Sequence, residues 1–266
     1  MRIVIENCSS PGAMFTPNTD FVIDSCYDWT QQNPGGSSQF VDFRKTVSQK
    51  YNFNDNNARN IFPLLKNLGF ISYEKGHEIS FDSFFTSTGE AYAKCNQAMS
   101  ILKKKDELSN DEKAALKKFE LLKSKIICKS LPRIIGKNKT SYSNELMVLI
   151  ESLKRYKKIN KIEFAYMLYL LQSKQSNDIF DEFDVVINQF RNGVIQIEVK
   201  VKVRNDNDIK DRTGMNTRLE DISYLTSYSY FIGLLLQAGL VKKDKDYICV
   251  VNSNDIEYIL EVCKDE

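Results

Sequence analysis

With 266 residues, 42% of them hydrophobic and 11% aromatic, the chain has material for one large domain or two to three small ones with real cores. A net charge of +2 with 27% charged residues excludes binding by bulk charge, so an anionic partner would have to be met by a local cluster. No apolar run approaches the ~20 residues of a membrane span, and Met1-Arg2-Ile3-Val4-Ile5-Glu6 turns polar too soon for a signal peptide. The expectation is a cytoplasmic protein with no membrane partner.

Chemistry is restricted by two residue types. Cys8, Cys26, Cys95, Cys128, Cys249 and Cys263 form no CxxC pair and none stands at ligand spacing to His77, the only histidine. Reduced thiols and no metal are therefore expected. A single histidine also excludes most hydrolases that need an imidazole base. His77 lies in Glu74-Lys75-Gly76-His77-Glu78, which reads as a turn tip.

In chain order, residues 1–37 read as a strand and an irregular arm, because Pro11, Gly12, Pro17, Pro34, Gly35 and Gly36 interrupt them. Ser37-Ser38-Gln39 can cap a helix, in which Phe40, Phe43, Val47 and Tyr51 recur at helical spacing. A second helix carries Ala58, Ile61, Phe62, Leu65 and Leu68, is perturbed by Pro63 and ends at Gly69. Phe70–Tyr73 and Glu78–Phe81 then predict a β-hairpin, and Thr86-Ser87-Thr88-Gly89-Glu90 opens another helix. Helix, turn, helix, hairpin is the outline of a winged helix.

Residues 100–140 predict a charged helix and a break at Pro132 and Gly136, with basic residues dominating from Lys103 to Lys139. Helices follow at Tyr142–Tyr156, Lys161–Leu171 and from Phe180 to Gly193, the first two joined by a turn at Lys158-Ile159-Asn160. Val194–Val203 alternates strictly and predicts a strand, and Arg204–Asn216 a polar linker. A helix from Leu219 to Leu236, a hairpin turning at Lys243-Asp244-Lys245 and a short helix after Asn254-Asp255 repeat the first outline. The predicted fold is mostly α with small β-hairpins (α+β), built as tandem winged-helix-type modules joined by a helical subdomain. Its segments are an arm (1–37), a first module (38–100), a charged connector and helical subdomain (101–193), and a linker strand with a second module (194–266).

The order of these motifs resembles the recognition half of AlwI-like type IIS restriction endonucleases and related nicking endonucleases, whose modules are similar in plan to that of FokI. The resemblance spans roughly residues 40–262. It rests on Arg59-Asn60-Ile61-Phe62-Pro63-Leu64-Leu65-Lys66-Asn67-Leu68-Gly69-Phe70-Ile71, Phe85-Thr86-Ser87-Thr88-Gly89-Glu90-Ala91, Asn160-Lys161-Ile162-Glu163-Phe164-Ala165, Gln189-Phe190-Arg191-Asn192 and Ala238-Gly239-Leu240-Val241. It implies sequence-specific recognition of double-stranded DNA. In that family a nuclease domain of PD-(D/E)xK type follows; here the expectation is the target-reading domain or subunit, with Mg²⁺ needed only by an attached nuclease domain or a separate nuclease chain.

Two rival readings stand beside it. Asp184 with Glu198 and Lys200 satisfies a minimal D…ExK pattern, in which two carboxylates hold Mg²⁺ beside a lysine that activates water. Against it, Asp184 reads as helical and little chain surrounds the motif. The other rival is a tandem winged-helix transcription or replication regulator. For DNA reading, base-edge candidates in the first module are Asn56, Asn57, Arg59, Asn60 and Lys66. Arg44, Lys45 and Lys50 suit phosphates, and Lys75 and His77 the wing tip. In the last module the candidates are Arg212, Asn216, Arg218, Ser227 and Ser229.

Overall fold

The computed structural model describes residues 2–6, 15, 17–74, 76–135, 140–174, 179–200 and 223–264. These are mostly helical with three small sheets, in keeping with the α+β expectation. Two compact units divide the chain, one of Met14–Ile134 with Gly233–Leu240, the other of Met1–Ala13, Ile135–Ile232 and Val241–Glu266. Among the described residues no helix is long and apolar enough to cross a membrane.

The first unit opens with α1 (Pro17–Gln32), where the sequence had predicted an irregular arm. The prolines and glycines bracket this helix. Pro17 takes its first position, where a missing N–H costs nothing, and Pro34-Gly35-Gly36 follow its end. Its apolar residues make no clean stripe, since exposed Phe21 adjoins buried Val22 and Ile23. The expected cap at residues 37–39 is instead a strand, β2 (Ser37–Gln39), leading into α2 (Phe40–Tyr51), which starts without a side-chain cap. Next comes α3 (Asp55–Asn67), which runs through Pro63 and exits at Gly69 (φ +74°) with Phe70 N–H donating to Leu65 O at 2.9 Å.

The predicted hairpin pairs differently. Strand β3 (Glu78–Ser80) lies antiparallel to β2, with Ser38 opposite Ile79. Phe70–Ser72 instead meet Phe84–Thr86, through an Ile71–Phe85 bridge and bonds from Ser72 N to Phe84 O and Thr86 N to Phe70 O. The cause is the core: Phe81 and Phe84 both turn inward onto Phe43, at centroid distances of 5.5 and 4.8 Å, through a 3₁₀ turn that displaces the pairing. The helix α4 (Ser87–Lys103) is capped by Thr86, whose hydroxyl accepts from Gly89 N–H. A Cβ at Gly89 would lie 1.8 Å from Phe70 O, so only glycine lets the helix start this close. Packed on α4 is α5 (Asn110–Ser130), opened by a Ser109/Glu112 capping box.

In the second unit α6 (Ser143–Tyr156) is followed by β4 (Lys158–Asn160), where a turn had been expected. After it come α7 (Lys161–Lys174), α8 (Phe180–Arg191), β5 (Gln196–Lys200) and α9 (Ser223–Gln237), the last joining the first unit from Gly233 onward. A hairpin of β6 (Val241–Asp244) and β7 (Tyr247–Val250) and helix α10 (Ser253–Lys264) close the chain. The sheet order β4–β7–β6 sets Ile159 opposite Ile248, both buried. β1 (Arg2–Glu6) runs parallel to β5, Ile5 facing Val199. Ile195, Ile197 and Val199 are buried, as their alternation predicts, while Val201, Val203 and the predicted linker Arg204–Asn216 lie outside the described residues. Phe164 fills the core edge-on to Tyr228 and Phe231 at 5.4 and 5.9 Å.

Candidate nucleic-acid interface

On α3 the side chains separate cleanly. Ala58, Ile61, Phe62, Leu64 and Leu65 are buried, while Arg59, Asn60, Pro63 and Lys66 are exposed. Positions 59, 63 and 66 recur at helical spacing, so one solvent-facing stripe carries Arg59 and Lys66 with Asn60 beside it. Among the described residues no hydrogen bond or ion pair engages Arg59 or Asn60. Lys66 Nζ lies 4.9 Å from the Tyr73 ring, itself stacked on Phe40 at 3.9 Å, and burial pushes the Tyr73 phenol up. The stripe therefore offers a guanidinium, an amide and an ammonium on a helix held rigidly from behind. Asn56 and Asn57 belong to its first turn, with side chains outside the described set.

The phosphate candidates fare differently. Arg44 is not free, for its Nε and Nη2 donate to the two Asp55 carboxylate oxygens at 2.5 and 3.1 Å and its side chain is only 12% exposed. It braces α2 against the start of α3. Lys50 donates to Gln32 Oε1 at 2.7 Å and sits 4.7 Å from the Trp29 ring, so part of its charge is already engaged. Lys45 is exposed, with no partner among the described residues. His77 is exposed and 3.8 Å from Glu74. Lys75, Arg212, Asn216 and Arg218 lie outside the described residues, as does the side chain of Ser227 in α9; Ser229 is exposed on that helix.

Sequence reasoning missed a lysine cluster in the second unit. Lys158 on β4 and Lys242 on β6 both stand in register with Cys249 of β7 between them, and so share one sheet face. Lys157, Lys161, Lys243 and Lys245 are exposed close by in the chain, and Lys158 Nζ lies 4.6 Å from the Tyr247 ring. The Lys242-Lys243-Asp244-Lys245 run was legible only as turn chemistry, because nothing in the sequence pairs β7 with β4.

Comparison with family models, with curated proteins and with solved structures gives no match.

The alternative catalytic residues sit on separate elements with separate partners. Asp184 is on helix α8, 3.7 Å from Arg155. Glu198 is on β5 and is paired with Arg2. Lys200 ends β5, its side chain outside the described set. Glu198 lines an open depression of about 370 Å³ with Arg2, Ile162, Phe190, Gln196 and Ile197; Asp184 does not. Among the described residues no group of three His, Cys, Asp or Glu side chains is gathered for a metal ion.

Proposed function

We propose that this chain recognises double-stranded DNA in a sequence-dependent way, as the target-reading part of a type IIS restriction or nicking endonuclease built on tandem winged-helix modules. The observation that carries the reading is the exposed stripe of Arg59, Asn60 and Lys66 on α3, backed by a fully buried apolar face. Arginine can bridge guanine O6 and N7, and asparagine adenine N6 and N7; each good pair is worth ~1–3 kcal/mol of discrimination.

Element order lends support. In the first unit α1, β2, α2, α3 and then β3 paired back onto β2 follow the helix–strand–helix–helix–strand plan of a winged helix. A second run of elements, α6, β4, α7, α9, β6 and β7, has the same order, with α8 and β5 inserted between its second and third helices and α9 passing into the first unit at Gly233. The third helix exits alike in both plans: Gly69 and Gly239 have φ of +74° and +70°, and Phe70 and Leu240 each donate five residues back, to Leu65 and Leu235.

The test is selection of bound duplexes from a random pool, with and without Mg²⁺, followed by the same selection with Arg59→Ala. A single enriched motif is expected, and the variant should lose preference at one base pair by roughly 5- to 150-fold. Failure of the wild-type chain to enrich any motif would overturn the proposal.

A further inference from the structure

The two runs of elements share an order but not a distribution of charge, and the difference assigns them different tasks. In the first unit the third helix of the plan, α3, is exposed along one side and carries Arg59, Asn60 and Lys66. The segment leading into its β3 is mixed in charge, with Glu74 and Glu78 on either side of Lys75 and His77, and Glu78 accepts the Ser37 hydroxyl at 2.5 Å. In the second unit the corresponding helix, α9, has no charged residue; Tyr228, Phe231 and Ile232 are buried and Ser229 is exposed before the helix passes into the first unit at Gly233. Its described side chains therefore offer no charge to a groove. The charge lies on and around the sheet instead, with Lys158 and Lys242 on one face and Lys243, in register with Ile248, on the other. Lys157, Lys158, Lys161, Lys242, Lys243 and Lys245 are all exposed, against Asp244 and Asp246 as the neighbouring acids of the hairpin. Among the described residues none of the six is held in an ion pair with a carboxylate.

We infer that the second unit grips the sugar–phosphate backbone of duplex DNA through the β6–β7 hairpin and its β4 flank, while base reading is left to α3 of the first unit. The inference rests on the DNA-recognition reading above for its partner, and on the sheet register for its site. β4 and β6 lie on either side of β7, so Lys158 and Lys242 stand about 10 Å apart across the sheet. Flexible ammonium groups spread over such a surface suit a polyanion with closely spaced charges and carry no base information. A hairpin tip at Lys245, which holds φ of +52°, extends the same surface away from the core.

The test compares the full chain with K158Q/K242Q/K245N, which removes the two lysines in register with Cys249 and the one at the tip, where asparagine keeps the left-handed backbone. Binding to the selected duplex and to a random duplex is measured between 50 and 200 mM salt. Each lost phosphate contact should reduce the slope of log affinity against log salt by about 0.9, so the triple variant should have a slope shallower by ~2.7 and lose about fortyfold less affinity over that range. Affinity should fall equally on both duplexes, leaving sequence preference unchanged. The variant D244N/D246N is expected to act in the opposite sense, tightening both duplexes alike. A wild-type slope in the triple variant, or a loss of preference at constant slope, overturns the inference. Failure of the wild-type chain to prefer any sequence strikes the recognition proposal alone: backbone gripping is still supported if the triple variant flattens the salt dependence of unselective binding.

Discussion

Asp24 shows how one side chain can set the pH response of a unit. One of its oxygens accepts from Asn96 Nδ2 at 2.7 Å, while the other is buried with no partner. Around it Lys123 bonds Asp20 and Asn96 at 2.5 and 2.6 Å, and Tyr92 donates to Asp20 at 2.7 Å. Burial raises the Asp24 carboxyl from 3.8 to about 6, with Asp20 adding to the rise and Asn96 and Lys123 opposing it. A raised folded-state pKa means the folded chain holds a proton between pH 4 and 6 that the unfolded chain has lost. The stability from this group is therefore full below pH 4 and lost as pH rises through about 6. Asp24→Asn should stabilise the protein at pH 8 by about 1–2 kcal/mol, allowing for partial exposure, and by less at pH 5. Thermal unfolding of both proteins at the two pH values checks this; an equal gap at both would refute it. Among single residues, Arg59 and Asn60 were legible as exposed because helical spacing separates them from Ile61, Phe62 and Leu65. The fate of Arg44 was not, since its partner Asp55 lies on a different helix.

At the level of elements, the start of α7 depends on a neighbour far along the chain. Asn160 and Glu163 cap each other reciprocally, Asn160 N–H to Glu163 Oε2 at 3.0 Å and Glu163 N–H to Asn160 Oδ1 at 2.9 Å. Glu163 is fully buried, and its charge is met by Arg191 at the end of α8, through bonds of 2.7 and 2.9 Å, while Arg191 also donates to Lys158 O. The pair ties α8 to the β4–α7 junction. Arg191→Ala leaves a buried carboxylate alone and should cost about 3 kcal/mol. The double change E163Q/R191M should cost less than Arg191→Ala, because it removes both charges together. Urea unfolding distinguishes them; a double variant weaker than the single one would show that the pair's value lies elsewhere. The N-x-x-E spacing of Asn160 and Glu163 is a legible capping signal, but the Arg191 partner and β4 were not legible, since a strand of three residues has too little pattern to announce itself.

For the whole molecule, connectivity matters more than any local motif. β1 supplies the partner of β5 from the far end of the chain, and together Ile5, Ile197 and Val199 are buried. Deleting residues 1–6 should therefore strip amide protection from residues 196–200 in hydrogen exchange and leave residues 58–65 of the first unit protected. Equal loss in both regions would show that the two units do not respond independently. The alternation of Val194–Val203 announced a strand with one buried face, but no feature of the sequence named its partner. Closing so long a loop is an entropic matter that only the folded core decides.

Local patterns were enough to give the helical faces of α2, α3, α6 and α8, the glycine exits at Gly69 and Gly239, the β6–β7 hairpin and the mostly α architecture. Each of these follows from a repeat of two or about four residues, or from a residue whose own backbone freedom is unusual. Tertiary structure alone decided that β3 pairs with β2, that β7 joins β4 to β6 and so gathers the lysines, that Arg44 is committed to Asp55, and that α1 is a helix. Those outcomes depend on which buried surfaces fit together across long stretches of chain, and pairwise fit over such separations leaves no period in a single sequence.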